Sequence, residues 1–285
     1  MLEPWRLTYA GTDIAFGPAA TGLPISAAPE YGPTDLTVDD QNGARSDGVL
    51  LGQDFRHGTT ITFELHAIGA TRDEAAALST AFMTAWRGDA IRSTPGAVAE
   101  LRAPSGRSAL GRPRRAALDE TLARHGKFAI TVDFVTMDDV WYGDVESIEV
   151  PIALSQSGGL VGPLKSPLVS RGSSTRQNAF VVGGTLPTWP TITMNGSILN
   201  PVVAVAGRFR YAAATSLKYD ENIRIDSRRG TVLRNGAQLA ALTRSSDLIE
   251  DALLDPGAYT LTLSGSSTTG NPTAEIAWRP AFPTP

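Results

Sequence analysis

Apolar and polar residues alternate strictly over residues 59–67, TTITFELHA. Ile61, Phe63, Leu65 and Ala67 fall on one side, and Thr60, Thr62, Glu64 and His66 on the other. A period of two predicts a strand with one buried face. At Gly69-Ala70 the period changes. Thr71 stands as an N-cap with Glu74 three residues on, the pattern of a capping box, and Ala75, Leu78, Phe82, Ala85 and Trp86 recur at helical spacing. The pattern predicts a helix from Arg72 to about Arg87, with Gly88 as its C-cap. No other segment predicts a helix this clearly.

The period of two returns at 96–101, 128–135 (FAITVDFV) and 147–154. Short strands are also predicted at 191–194, 202–206 and 208–211, and alternation recurs at 258–264 and 273–279, where Ala274, Ile276 and Trp278 share a face. The densest stretch is 219–236, YDENIRIDSRRGTVLRNG. Ile223 and Ile225 alternate with polar neighbours, Ser227–Gly230 turns the chain, Thr231–Arg234 returns, and Asn235-Gly236 turns it again. Both central residues of such a two-residue loop need positive φ, which Asn tolerates and Gly adopts freely. The first fifty residues are rich in Gly, Pro and Asp and only weakly periodic; one reading is an extended arm that reaches a neighbouring subunit.

Between these two groups of strands lies a Gly/Pro/Ser-rich stretch with Ser157-Gly158-Gly159, Gly162-Pro163, Ser166-Pro167 and Arg171-Gly172-Ser173-Ser174. Its prolines predict an extended, partly stiff connector. The expected organisation is therefore a first domain over 1–154, a connector over 155–178 and a second domain over 179–285. The second reads as a β-sandwich of short strands with regular turns.

A chain of 285 residues with 42% hydrophobic content, 28 Gly and 19 Pro has enough apolar side chain for two cores and punctuation for many turns. The net charge of −4, with a pI near 5.4, argues against a polyanion as the main partner. The absence of cysteine excludes disulfides, zinc–thiolate sites and thiol nucleophiles, and favours folding in a reducing cytoplasm. Neither a secretory leader nor an apolar run long enough for a membrane span is visible. Lysine occurs only at 127, 165 and 218, against many arginines, as in a GC-rich bacterial or phage genome.

Candidate chemistry is sparse. His57, His66 and His125 are not at metal-ligand spacing, and a histidine-based triad cannot be built within residues 179–285. Adjacent acids at Asp39-Asp40, Asp119-Glu120, Asp138-Asp139 and Glu250-Asp251 fall at predicted turns, where Asp bonds the local backbone. Asp220, Asn222 and Asp226 lack the order of a calcium loop. Gly158-Gly159 with Gly162 lacks the Lys-Ser/Thr of a phosphate loop. Arg107, Arg112, Arg114 and Arg115 read as a salt-bridged surface or a subunit interface, a role suited to arginine's planar fork. No catalytic, cofactor-binding or metal-binding residue is expected, and no cofactor.

Several motifs in order resemble the distal tail protein family of long-tailed bacteriophages. They are Gly183-Gly184-Thr185 with Pro187 and Pro190, Ile192-Thr193-Met194-Asn195-Gly196, Asn200-Pro201, Ile223–Asp226 followed by Val232–Gly236, and Leu254-Asp255-Pro256-Gly257. Nearer the start, Arg112-Pro113-Arg114-Arg115, Phe134-Val135 and Asp139-Val140-Trp141-Tyr142 are similar to its ring-forming domain. The resemblance covers most of residues 55 to 280. It implies a mainly β fold: an N-terminal β-barrel-like ring domain with one α-helix, and a C-terminal galectin-like β-sandwich.

The resemblance also implies a non-enzymatic virion protein at the phage tail tip, assembled in the host cytoplasm. It would form a homo-oligomeric hexameric ring and contact the tail tube protein and the baseplate hub or fibre protein. DNA or tape-measure protein would pass only as cargo, and no membrane is a partner. The alternative is a carbohydrate-binding module aiding adsorption to the host wall. Galectins bind sugar with a His-Asn-Arg cluster and a stacking Trp, and residues 179–285 contain no histidine.

Overall fold

A computed structural model describes residues 3–42, 47–152, 178–238, 242–267 and 271–285. The connector expected over 155–178 lies, up to residue 177, outside the described residues. The chain is mainly β and divides into two compact units: Met1–Gly143 with Phe282–Pro285, and Asp144–Ala281.

The first unit is an antiparallel sheet in the order Thr12–Phe16, Trp5–Tyr9, Ala99–Arg102, Ser108–Asp119, Lys127–Thr136, Thr60–Ile68, Glu30–Tyr31. The alternation at 59–67 buries the face it predicts: Ile61, Phe63, Leu65 and Ala67 are all buried. Lys127–Thr136 does the same with Phe128, Ile130, Val132 and Phe134. The segment after Phe16 crosses from one edge of the sheet towards the other. Gly17 N–H donates to Leu23 O, while Ser26 N–H donates to Glu64 O and Ile68 N–H to Gly22 O, at 2.8 to 2.9 Å.

The helix is Arg72–Trp86, and both halves of the capping box form. It ends one residue earlier than expected. Arg87 is the C-cap, and Gly88 follows in the left-handed region at φ 62°. A four-residue helix, Asp89–Arg92, comes next. Helix and sheet meet in an aromatic core. Phe63 lies edge-on to Trp5 (5.0 Å between ring centroids) and to Phe16 (5.2 Å), and Phe82 stacks on Trp86 at 5.3 Å. Such pairs contribute about 0.5–1.5 kcal/mol each beyond their buried area. Trp86 satisfies its indole N–H on Asp133 O at 3.2 Å, and Tyr9 donates its hydroxyl to Ala85 O.

The second unit holds two antiparallel sheets. One runs Glu146–Pro151, Thr273–Trp278, Thr191–Asn195, Asn222–Asp226, Thr231–Arg234, Ala237–Gln238. The other runs Asn178–Val182, Gly257–Ser266, Ile198–Val205, Phe209–Ala212, with Ser216–Leu217 on Ile198–Val205. Their inner faces share one core, including Ile192, Met194, Ile223, Ile225 and Ile276 from the first sheet and Val203, Tyr211, Leu261 and Leu263 from the second. The two hairpins in 219–236 form as read. Asn222–Asp226 pairs with Thr231–Arg234, and Asn235 (φ 47°) and Gly236 (φ 83°) make the two-residue loop.

Two placements differ from the sequence reading. The strand expected over 147–154 is Glu146–Pro151, and it pairs with Thr273–Trp278, so the second unit draws its edge strand from before the connector. The first residues are not uniformly arm-like either. Trp5–Tyr9 and Thr12–Phe16 form a hairpin with Trp5, Leu7 and Tyr9 buried. Their alternation is visible in WRLTY, but five residues are a short signal amid Gly and Pro.

Candidate functional site

The three histidines sit on separate elements. His57 shares a hydrogen bond with Thr37 Oγ1 (2.6 Å), and His125 accepts from Arg124 Nε at 3.1 Å. His66 lies on the outer face of its strand; desolvation, then the nearby Lys127 charge, push its pKa below the ordinary value, against Glu64. Among the described residues no cluster of three or more His, Asp or Glu could hold a metal ion. No described helix is long and apolar enough to cross a membrane.

Several members of the acid pairs have hydrogen-bond or ion-pair partners of their own. Asp40 Oδ1 accepts from Gly52 N–H (3.0 Å), and Asp138 Oδ2 from Tyr142 OH (2.7 Å). Asp139 pairs with Arg56 at 3.0 Å. Asp119 accepts from the side chain and backbone of Thr121, which hold its carboxyl below the usual range. Asp226 accepts from Arg229 N–H at 3.1 Å across its turn. The glycines at 158, 159 and 162 lie outside the described residues.

The arginines of 107–115 divide in a way their spacing concealed. Arg107 lies over the Phe282 ring at 3.7 Å and donates to Thr284 O. Arg112 donates to Ala97 O and Thr94 O, each at 2.7 Å. These two meet backbone carbonyls, which departs from a surface knitted by salt bridges alone. Arg114 and Arg115 occupy a register shift between Pro113 and Ala116, and both are exposed. The shift places an extra residue opposite the partner strand and bends Ser108–Asp119 locally, while Ala116–Asp119 stays paired to Lys127–Thr136.

Two surfaces result. One is a groove of about 720 Å³ between the helix and this outer half-strand. Met83, Trp86, Pro113, Ala116 and Leu118 give it an apolar lining, and Arg87, Arg92 and Arg114 also line it. Over Ala116–Asp119 the strand pairs with Lys127–Thr136 on one side; pairing to Ala99–Arg102 stops at Gly111. The other surface is a two-stranded ribbon. Leu36–Thr37 pairs with Phe55–Arg56, and Gln41–Asn42 with Val49–Leu50. Every described residue from 35 to 57 is exposed, including Leu36, Val38, Val49, Phe55, Leu50 (68%) and Leu51 (83%).

This fold is similar to that of the Dit protein of phage SPP1. The likeness has a TM-score of 0.59 at 14% identity and covers 98% of this chain and 99% of that one. The SPP1 protein is described as a paradigm of the hub adsorption apparatus in phages infecting Gram-positive bacteria. A chain of the phage P2 baseplate, in its activated conformation with Ca, matches at TM-score 0.53 and 12% identity over 98% of each chain. No protein-family model and no curated protein matches the sequence.

Of the aromatic residues of the second unit, Tyr219 is exposed (85%), while neither tryptophan is. Trp278 is buried and packs against Phe180 at 4.8 Å. The half-buried Trp189 stands between Thr188 and Pro190, both buried. The ribbon hydrophobics were missed in the sequence because they come in pairs and triplets between turn residues, too short to declare a period.

Proposed function

We propose that this chain is a structural virion protein of a long-tailed phage. It is a subunit of a hexameric ring at the distal tip of the tail tube, and the ring joins the tube to the baseplate or tail fibre. The likeness to a phage hub protein along 98% of the chain carries this reading. The first unit is the ring-former. Its sheet, with Gly17–Tyr31 crossing between the edges, supports a barrel-like body whose helix lies on one side. The second unit is a galectin-like sandwich appended to the ring and serves to hold or support a neighbouring tail protein. DNA or tape-measure protein passes the lumen as cargo.

The full-length protein at high concentration is expected to scatter light as six times the chain mass and to give rings in negative-stain images. A strict monomer at every concentration would sink the reading. A sugar-binding role for the second unit is the weaker alternative, since Trp278 is spent in the core. Sub-millimolar glycan binding in titration calorimetry would bring it forward.

A further inference from the structure

Two Asn-Gly pairs turn the chain in the second unit, Asn195-Gly196 and Asn235-Gly236. In a third, at 42–43, the glycine lies outside the described residues. In any Asn-Gly pair the glycine amide nitrogen can attack the side-chain carbonyl carbon of the asparagine. Glycine favours this because it has no Cβ to crowd its own nitrogen and its backbone turns freely. The fold treats the two pairs of the second unit differently.

Asn195 is gripped. It ends an inner strand, opposite Asn222 on one side and Thr273 on the other. Gly196 N–H, the nitrogen that would attack, donates to Glu221 O at 3.3 Å, and a Cβ on Gly196 would stand 3.0 Å from Pro272 Cα. Both residues are half-buried. Asn235 and Gly236 are exposed, with nothing within 4 Å of a Cβ placed on Gly236. Among the described residues Gly236 N–H has no hydrogen-bond partner, since Arg234 and Ala237 close the loop. The Asn235 side chain is also held ready. Asn222 N–H donates to Asn235 Oδ1 at 2.9 Å, so the negative charge that grows on this oxygen during attack already has its donor.

We propose that Asn235 is a site of spontaneous deamidation in the folded chain and that Asn195 is protected. Gly236 N gives its proton to hydroxide and bonds to Asn235 Cγ. The Cγ–Nδ2 bond then breaks, and Nδ2 takes up a proton from water and leaves as ammonia. One water molecule opens the cyclic imide that remains. Opening at one carbonyl gives aspartate at this position; opening at the other gives isoaspartate, whose main chain runs through the former side chain. Either product adds a carboxylate next in sequence to Arg234, which is ion-paired to Glu221. Isoaspartate also lengthens a two-residue loop whose geometry sets the register of Thr231–Arg234 on Ala237–Gln238. This chemistry belongs to the chain itself and does not rest on the ring proposed above.

The full-length protein is incubated at mildly alkaline pH, either folded in buffer or unfolded in guanidinium chloride. Its peptides are mapped by mass spectrometry over time, and isoaspartate is scored by enzymatic methylation. In the folded chain the mass gain of an amide-to-acid change is expected at Asn235 at least about tenfold faster than at Asn195, a barrier difference of about 1.4 kcal/mol. In guanidinium the two rates should converge, because each site is then only an asparagine before a glycine. Comparable rates in the folded protein, or a faster Asn195, would overturn the proposal. So would a folded Asn235 that stays intact while the unfolded one converts. A gap that persists in guanidinium would mean that flanking sequence and not the fold sets it, and would overturn the proposal as well.

Discussion

Gly111 shows how tightly single positions are held. A Cβ added there would stand 2.1 Å from Val135 O and 2.7 Å from Thr136 Cα, inside the central strand pair. Gly111→Ala must push the strands apart, and overpacking of this kind costs about 1–3 kcal/mol; a lowered urea midpoint in the first unit checks it. Tyr211 is held differently. It is fully buried, its hydroxyl reaches Leu248 O at 3.4 Å, and burial, then the charges of Asp247 and Asp251, raise its pKa. A raised folded pKa means the neutral phenol is favoured in the native state. Its contribution is therefore intact below the unfolded value of about 10 and is lost as pH rises from there. Tyr211→Phe should flatten the fall in melting temperature between neutral and strongly alkaline pH, and an unchanged slope would refute this.

At the scale of elements, the helix shows which signals survive translation from sequence. The Thr71 side chain accepts from Glu74 N–H at 3.2 Å, and Glu74 Oε2 accepts from Thr71 N–H at 3.3 Å. Both bonds are local, so four residues of sequence suffice to foresee them. Thr71→Ala should cost about 1 kcal/mol, read as a shift in denaturation midpoint without a change in slope. The strands of period two were legible for a similar reason, since alternation at Ile61–Ala67 or Ile223–Ile225 states which face is buried. The Ser108–Asp119 strand was not legible. Its arginines and proline mask the alternation, and its register shift depends on Lys127–Thr136 across the sheet. The ribbon failed for the opposite reason: Leu36–Thr37 and Val49–Leu50 are too short to carry a period and are defined only by their partners.

On the scale of the whole molecule, each unit has its own core, and the second is completed from a distance. Glu146–Pro151 pairs along the full length of Thr273–Trp278, and Val150 is buried in the shared core. Asn178 Nδ2 also donates to Glu149 O at 3.1 Å. A fragment beginning at residue 179 leaves Thr273–Trp278 with an open edge and the core without Val150. Residues 144–281 should therefore unfold at a higher temperature than residues 179–285 when the two fragments are compared by calorimetry. Equal melting temperatures would mean that the early strand adds nothing.

By itself the sequence determined the mainly β character, the capped helix and the Asn-Gly hairpin. Each of these rests on residues within a few positions of one another, where period, cap and turn chemistry act directly. Tertiary structure decided the rest. It placed residues 146–151 in the second unit, spent Trp278 inside a core, sent Arg107 and Arg112 to carbonyls, and left exposed apolar side chains on Leu36–Thr37, Val49–Leu50 and Phe55–Arg56. Those outcomes depend on which distant strand lies alongside, and the choice is made by the summed burial of whole faces and not by any local pattern.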